Sequence, residues 1–407
     1  MSRTGHSAHA GRARSGPGRS NRGLVAVLAA VALLAPVQRL GAQTPFTAIG
    51  FGLPVQPIDA RAAALGQASV ALLGGTYSLV NPAAITEFRG LHLNASFAGA
   101  AVSVKYPDKS EGIDRGWIPV LRGLVPIGRQ SVIAFGIGSN LDQDWGVVFQ
   151  DTLHSTLGTY PYDERRENDG GLSSLDATFA RRIGSLSVGV GAQRLTGNLR
   201  QTVFRTFEPD TAGAGGTPLP VRDFAQVSYG AWRFLGGFTA KLKQVVLVGA
   251  QIAINTDLDA TRDTTGATAT FGRPLELGVG GSARLSRRFL IAASAGWTDW
   301  STSNRSFSTV RAADTYYVGG GVEYTGARFI SLDVPLRLGY YRAELPFVIP
   351  GKKQSSEWAA TFGLGTRIAS GAAAFDFGFE WGERGDLPTT GAQESFFRTT
   401  LSVSLRQ

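Results

Sequence analysis

The chain has 407 residues, contains no cysteine, and carries 40 Lys and Arg against 31 Asp and Glu, a net charge of +9. Without cysteine we expect neither a disulfide framework nor a lipid-anchored N-terminus. Six of the arginines fall within the first 42 residues, which hold no acidic residue, so the remainder has a net charge of +3. That small excess gives little support to a nucleic-acid partner, and we expect none.

The first 42 residues have the pattern of a secretory signal peptide. Residues 1–23 are basic, residues 24–35 form an unbroken apolar run, and Leu40-Gly41-Ala42 resembles a cleavage site. Twelve helical residues rise about 18 Å, whereas a transmembrane helix needs about 20 residues. The pattern therefore predicts export of the protein and removal of residues 1–42.

The stretch that follows, residues 43–90, differs from the rest of the chain because its central part is rich in alanine. Asp59 is a good N-cap for a short helix, and Gly66 is a good stop for it. Asn81 is a good cap for a second helical turn. We interpret residues 43–90 as a plug, or hatch, inside a barrel formed by residues 91–407. The alternative is a helical cap on a soluble β domain.

Beyond residue 90 the sequence alternates with period two, as strands with two different faces do. Phe375, Phe377 and Phe379, for example, alternate with Asp376 and Glu380 around them. A soluble sandwich alternates as well. The length of about 10 residues per strand, with Tyr and Trp near strand ends, instead favours an outer-membrane barrel, which must close because lipid cannot satisfy a sheet edge.

This alternation predicts an all-β membrane protein with about 14 antiparallel strands. Short turns would lie on the periplasmic side, and longer polar loops such as 142–171 and 202–222 would lie outside the cell. The predicted strands are 91–105, 116–127, 131–141, 172–183, 186–200, 224–242, 245–255, 275–285, 289–300, 314–325, 333–342, 357–368, 372–383 and 395–405.

Several motifs resemble those of FadL/TodX-type outer-membrane transporters of long-chain fatty acids and hydrocarbons, and of their PorV-type relatives. The hatch motif consists of Arg61, in Arg-Ala-Ala-Ala-Leu-Gly-Gln-Ala, and of Asn81, Pro82 and Ala83. Later strand signatures lie at 119–128, 297–301, 335–340, 346–347 and 380–385. The resemblance implies a 14-stranded barrel in the outer membrane, inserted by the barrel assembly machinery among outer-membrane lipids and blocked by the hatch.

The same resemblance implies that apolar molecules bind between hatch and wall and leave sideways at a kinked strand. We expect Leu65, Val70, Leu72, Leu79 and Ile85 to contact the ligand, although packing inside the plug is the usual role of such residues. The kink is expected where glycines weaken a strand; the alternative is that these glycines make room for the plug. The candidate kink residues are Gly136, Gly138 and Asn140.

Charged residues on the inner face need partners, because a buried charge is costly unless it is paired or hydrated. We expect several to tie the plug to the wall through Arg61 and Glu87; the alternative is a solvated lumen without specific pairs. The inner-face charges are Asp176, Arg182, Glu276, Arg284, Glu323, Arg337, Arg367, Asp376, Glu380 and Arg398.

No catalytic, cofactor or metal site is expected. The segment 278–283 matches a dinucleotide fingerprint in letters, but strand-like sequence follows where a helix is needed. The main prediction is therefore a channel for hydrophobic small molecules such as long-chain fatty acids, with lateral release through the wall. The alternatives are a PorV-type scaffold or shuttle in secretion, which would have protein partners, and a general or structural porin.

Overall fold

The computed structural model describes residues 44, 46–107, 110–155, 158–208, 218–307, 310–329 and 332–407. The predicted signal peptide, residues 1–42, lies outside these ranges. Among the described residues, no helix has both the length and the apolar character needed to cross a membrane.

Fourteen antiparallel strands of the described part of the chain form one closed barrel. The first strand pairs with both the second and the last, which closes the sheet. This confirms the predicted fold class. The barrel strands are β1 His92–Lys105, β2 Ser110–Ile127, β3 Ser131–Asp142, β4 Gly158–Ile183, β5 Leu186–Phe207, β6 Val221–Leu242, β7 Val246–Asn255, β8 Glu276–Arg284, β9 Phe289–Thr298, β10 Thr315–Tyr324, β11 Leu336–Glu344, β12 Ser356–Ile368, β13 Ala373–Asp386 and β14 Ala392–Arg406.

Shorter elements decorate the barrel and its interior. The α-helices are α1 Ala60–Ala64 and α2 Leu387–Thr390, and the 3-10 helices are Pro82–Glu87, Trp300–Ser306 and Ala369–Gly371. The short strands are Leu53–Pro54, Leu258–Arg262, Thr268–Phe271, Arg311–Ala312, Arg328–Phe329, Leu332–Asp333 and Phe347–Val348.

The strands extend further at the long-loop end than the alternation predicted. β4 begins at Gly158, and the segment Trp145–Ser155 pairs with it over most of the predicted loop. Here Glu164 forms ion pairs with Arg166 on the same strand and with Arg205 on the neighbouring strand β5. Charged cross-strand pairs stabilise a sheet without apolar alternation. Most of residues 142–171, which the sequence predicted as a loop, therefore form strands instead.

The outer face of the barrel is an apolar band. Large side chains on it are widely exposed, for example Phe135 at 59%, Val190 at 61% and Leu338 at 67%. Aromatic pairs lie toward both rims: Tyr340 stacks on Trp358 at one end, and Phe289 contacts Tyr324 at the other. A contiguous apolar surface of this extent is unfavourable in water and matches the lipid-facing surface of a membrane barrel.

Residues 46–90, which we call the plug, pack against the inside of the barrel. Helix α1 contacts β12, β13 and β14, while the 3-10 helix Pro82–Glu87 contacts β4, β5 and β6. The two short helices therefore touch opposite parts of the wall, and the plug spans the lumen between them.

Candidate functional site: the cavity between the plug and the wall

The plug has a compact local structure that its sequence explains. Asp59 caps α1, because its Oδ1 accepts the N–H of Ala62 at 2.9 Å, and its Oδ2 accepts the hydroxyl of Thr76 at 2.7 Å. The alanines that follow have small side chains and are fully buried. A short alanine helix can approach a sheet closely, and this brings the plug into contact with the wall backbone.

Asn81 fixes the second helical turn to both the plug and the wall. Its Oδ1 accepts the N–H of Ala83 at 3.0 Å. Its Nδ2 donates to the carbonyl of Val70 at 2.8 Å and to that of Phe238, on β6, at 3.3 Å. Because the side chain is buried and makes all three bonds, the predicted hatch motif acts here as a structural anchor.

Glycines on the inner face of the wall make room for the plug. A Cβ on Gly237 would lie 2.2 Å from Oδ1 of Asn81, and one on Gly189 would lie 2.6 Å from the backbone N of Ala83. Larger residues at these positions would displace the plug. The wall glycines whose added Cβ would lie within 3.0 Å of the plug are Gly138, Gly189, Gly237, Gly280, Gly319, Gly321, Gly339, Gly363, Gly378 and Gly385.

An ion-pair network joins α1 to three wall strands. The guanidinium of Arg61 donates to both carboxylate oxygens of Glu323 on β10, each at 2.9 Å. Arg337 on β11 donates to the same carboxylate at 2.8 Å and also pairs with Asp376 on β13 at 2.7 Å.

A second link between the plug and the wall starts from Glu87. Its carboxylate pairs with Arg182 at 3.0 Å and with Lys241 at 2.7 Å. Both candidate plug charges, Arg61 and Glu87, thus have partners on the wall.

A cavity of about 440 Å³ lies between the plug and the long-loop half of the barrel. The plug contributes an apolar side to it, formed by residues such as Pro54, Pro57, Ile58 and Val70. Trp300 adds an aromatic surface from the wall side. Cavities of this size are typical of small-molecule sites. The rest of this lining is rich in polar and charged side chains, so the apolar surface is concentrated on the plug side.

Two arginines give one end of this cavity a positive character. Arg233, on β6, pairs with Glu276 at 2.6 Å. Arg273, in the connection before β8, is only 8% exposed, and within the described chain its Nε and Nη1 have no hydrogen-bond partner. Burial lowers the pKa of Arg273 to about 10; Glu276 opposes that change and Arg233 adds to it. The side chain therefore stays cationic at neutral pH.

The opposite side of the cavity carries a network of charged side chains that pair with one another. Arg398 donates to Glu380 at 2.5 Å and lies near Glu357, which pairs with Arg384. The hydroxyl of Tyr341 donates to Glu357 at 2.5 Å. These groups satisfy one another. Among the described arginines that line the cavity, Arg273 has two buried nitrogens without a hydrogen-bond partner, whereas Arg233 and Arg115 have one each, Nε.

The five predicted ligand contacts lie in different surroundings. Val70 lines the cavity. Leu65 and Leu72 are fully buried in one apolar cluster with the wall, and Ile85 is buried in another. Leu79 packs against Gly138. A Cβ added to that glycine would lie 2.6 Å from Cδ1 of Leu79. The structure thus places one of the five, Val70, at the cavity, and the role of all five in ligand binding stays a prediction.

The inner-face charges also differ in their surroundings. Asp176 pairs with Arg122 at 3.2 Å, in a position where both side chains are almost fully buried. Arg284 and Arg367 instead lie exposed at the ends of β8 and β12, and no ion pair with the described residues is recorded for either. The inner-face charges predicted from the sequence did not include Arg122, Arg233 or Arg273. The last two line the cavity, and Arg273 lies outside any strand, where alternation gives no signal.

The wall is incompletely paired beside the cavity, along what we call the seam. Pairing between β2 and β3 ends at Val120 and Gly138, although β2 begins ten residues earlier at Ser110. Beyond that point β3 has an irregular register with β4 and pairs with the plug segment Leu53–Pro54. Cavity-lining residues on the two sides of the seam include Trp117, Pro119, Ser139 and Asn140.

Several solved structures have a fold similar to that of this chain. The chain resembles a Pseudomonas aeruginosa FadL homologue, at 14% identity and a TM-score of 0.61 over 87% of this chain and 99% of that one. For the Ralstonia pickettii toluene transporter TbuX, the identity is 14% and the TM-score 0.59, over 86% and 98%. The TodX deltaS2S3 mutant, a monoaromatic hydrocarbon channel, gives 14% and 0.58, over 87% and 100%.

These structures confirm the resemblance that the motifs predicted, at the level of the fold. No protein-family model and no curated protein matches the sequence.

Proposed function

We propose that this protein is an outer-membrane channel for hydrophobic small molecules, which bind between the plug and the wall. The cavity of about 440 Å³ carries this proposal, because it combines an apolar plug surface with a position inside a lipid-facing barrel. The names of the similar structures, which include a toluene transporter and a monoaromatic hydrocarbon channel, agree with it. The plug fills the lumen, so an open diffusion pore is the less favoured alternative.

Long-chain fatty acids are the substrates that we propose within this class. The buried guanidinium of Arg273 has two unpaired donor atoms at the cavity, and a carboxylate is the natural acceptor for a guanidinium fork. The apolar plug surface would hold the alkyl chain. A neutral hydrocarbon could use the apolar surface and would leave the arginine without a partner, which costs free energy in a buried site.

Binding of hexadecanoate and hexadecane to the purified protein tests this assignment. Replacement of Arg273 by Gln should weaken hexadecanoate binding about tenfold or more, because charge-assisted hydrogen bonds contribute about 1.5–3 kcal/mol. Hexadecane binding should not change. Arg200→Gln, at an exposed position on β5, is the matched control. Equal losses for the two ligands would contradict the role of Arg273, and absence of binding to the wild type would contradict the channel itself.

We further propose that the ligand leaves through the seam between β2 and β3. The cavity reaches this seam, and a hydrophobic molecule gains nothing from entering water when lipid is within reach. Gly136, Gly138 and Asn140 lie on β3 beside it. Gly138 both ends the regular pairing and makes room for Leu79, so the two roles considered for these glycines are compatible.

A disulfide across the seam tests lateral release, and the chain has no other cysteine to interfere. Oxidised Pro119→Cys/Ser139→Cys protein should lose hexadecanoate uptake and regain it on reduction. The control is Gly123→Cys/Phe135→Cys, which joins two residues that are already register partners. Full uptake by the oxidised seam variant would show that the ligand takes another route.

One observation favours a second candidate function, the secretion scaffold. In the described part of the chain, Trp145–Ser155 pairs with β4 and leaves its other edge unpaired at the long-loop end. Such an edge can accept a strand from a protein partner. Mass spectrometry of protein purified from membranes separates the candidates: enriched fatty acids support the channel, whereas a stoichiometric protein partner without enriched small molecules supports the scaffold.

A further inference from the structure

The rim at the short-turn end of the barrel carries an excess of exposed cations on four successive connections. Arg129 lies in the turn after β2, Arg181 near the end of β4, Lys243 after β6, and Arg287 and Arg288 after β8. All five are exposed, and among the described residues none of them pairs with a carboxylate. We call these five residues the basic rim. The turns that carry them contain no Asp or Glu.

Each cation of the basic rim lies next to an exposed apolar residue at the edge of the outer band. Ile127 precedes Arg129, Leu242 precedes Lys243, and Leu285 lies beside the two turn arginines; these three apolar residues are 49%, 53% and 65% exposed. A long basic side chain beside a lipid-facing apolar residue can extend its stem along hydrocarbon while its charge reaches the head groups.

Arg181 has the most direct position for such a contact. It is exposed on the outer face of β4, between Phe179 and Ile183, which are 43% and 59% exposed. Its neighbour Arg182 points to the other face and pairs with Glu87 of the plug. Adjacent arginines therefore point to opposite faces of β4: Arg182 contacts the plug, and Arg181 faces the outside of the barrel.

The other cations at this end are accounted for differently. Lys241 pairs with Glu87, and Arg328 pairs with Asp333 at 2.9 Å. Arg284, Arg367 and Arg406 occupy inner-face positions of their strands, so they border the lumen, and Arg89 belongs to the plug. The basic rim therefore comprises the unpaired cations that border the apolar band on the half of the barrel from β2 to β9.

We propose that the basic rim binds the anionic phosphate head groups of phospholipids in the leaflet that borders the short turns. This inference rests on the proposed membrane location and is independent of the transported substrate. Guanidinium groups bind phosphate through paired hydrogen bonds, and a basic residue near an anionic lipid surface contributes roughly a fivefold gain in affinity. Zwitterionic lipid offers no net charge and gains less.

The experiment compares phosphatidylglycerol with phosphatidylcholine of the same chain length, each added to the detergent-purified full chain, with bound lipids counted by native mass spectrometry. We expect tighter binding of phosphatidylglycerol by about tenfold or more, a difference that shrinks as salt is raised because the contacts are screened. Equal binding of the two lipids at low salt would overturn the proposal.

Variants locate the binding surface. Replacement of all five basic-rim residues by Gln should remove the preference for phosphatidylglycerol. The matched control replaces five exposed arginines at the long-loop end of the barrel by Gln, namely Arg200, Arg222, Arg262, Arg305 and Arg311, and should keep the preference. The proposal fails if the control variant loses the preference equally or if the basic-rim variant retains it.

A single replacement, Arg181→Gln, should fold normally and should reduce the preference for phosphatidylglycerol several-fold. Hexadecanoate binding should be unchanged in all of these variants, so the outcome is separate from that of the channel.

Discussion

Glu323 joins the plug to the wall through two arginines that come from different parts of the chain. Its carboxylate accepts from Arg61 of α1 and from Arg337 of β11, and it is only 6% exposed. A carboxylate shared by two cations can offset its own burial cost because both partners are held in place. Loss of the carboxylate would leave two guanidinium groups with much weaker partners.

We therefore expect Glu323→Gln to loosen the plug. Removal of one member of a buried ion pair costs about 3–5 kcal/mol, and the loss should fall mainly on the residues around α1. Hydrogen exchange of residues 58–66 should become faster, while exchange in the wall strands far from β10 should stay slow. Glu208→Gln, at an exposed site without an ion pair in the described chain, should leave exchange unchanged. Slow exchange in both variants would show that packing alone holds the plug.

The strands were predictable from the sequence because side-chain alternation is local. Phe375, Phe377 and Phe379 fall on one face of β13 in any twisted sheet, so the alternation identified this strand and its two faces. The first half of β4 was not predictable in this way, because its stability comes from cross-strand charge pairs such as Glu164 with Arg205. Side-chain pairs between strands depend on how the strands are aligned, and the sequence of a single strand does not reveal its neighbour or that alignment.

The candidate site was less predictable than the strands. The motif around Asn81 indicated that a plug exists, and Asp59 and Asn81 act as the caps that the sequence predicted. The cavity depends on how far the plug reaches across the lumen. Arg273 lies outside any strand and any motif, so its unpaired position in the cavity follows only from the assembled barrel.

At the scale of elements, the wall strands and the plug pack closely because the wall has glycines at the points of contact. We expect Gly189→Ala to displace the turn at Pro82, because its new Cβ would lie 2.6 Å from backbone atoms that cannot rotate away. The variant should have a lower unfolding midpoint and faster hydrogen exchange over residues 80–87. Gly123→Ala is the control, since its Cβ would meet no atom within 4 Å. Equal behaviour of the two variants would contradict the close fit.

For the whole molecule, the apolar band determines where the barrel is stable. Leu338→Arg places a charge on the outer face of β11, at a side chain that is 67% exposed. In a bilayer this should cost about 2–4 kcal/mol, the range for arginine near the midplane of a barrel wall. Urea titration of protein folded into lipid vesicles measures the cost.

The control for this substitution is Leu219→Arg. Leu219 is 83% exposed but lies in a long loop between β5 and β6, where arginine remains in water. Its effect should stay within about 0.5 kcal/mol. If both substitutions had the same small effect in vesicles, the outer face of β11 would not be in contact with hydrocarbon.

The wall glycines also limit which sequence changes the plug and the wall can accept. Because the inner wall lies directly against the plug backbone at positions such as Gly189 and Gly339, the shape of the plug determines which side chains the surrounding barrel can carry. A change of bulk on either side needs a matching change on the other, so the two parts must vary together. Plugs exchanged between distant barrels should therefore fit poorly, even where both barrels have the same number of strands.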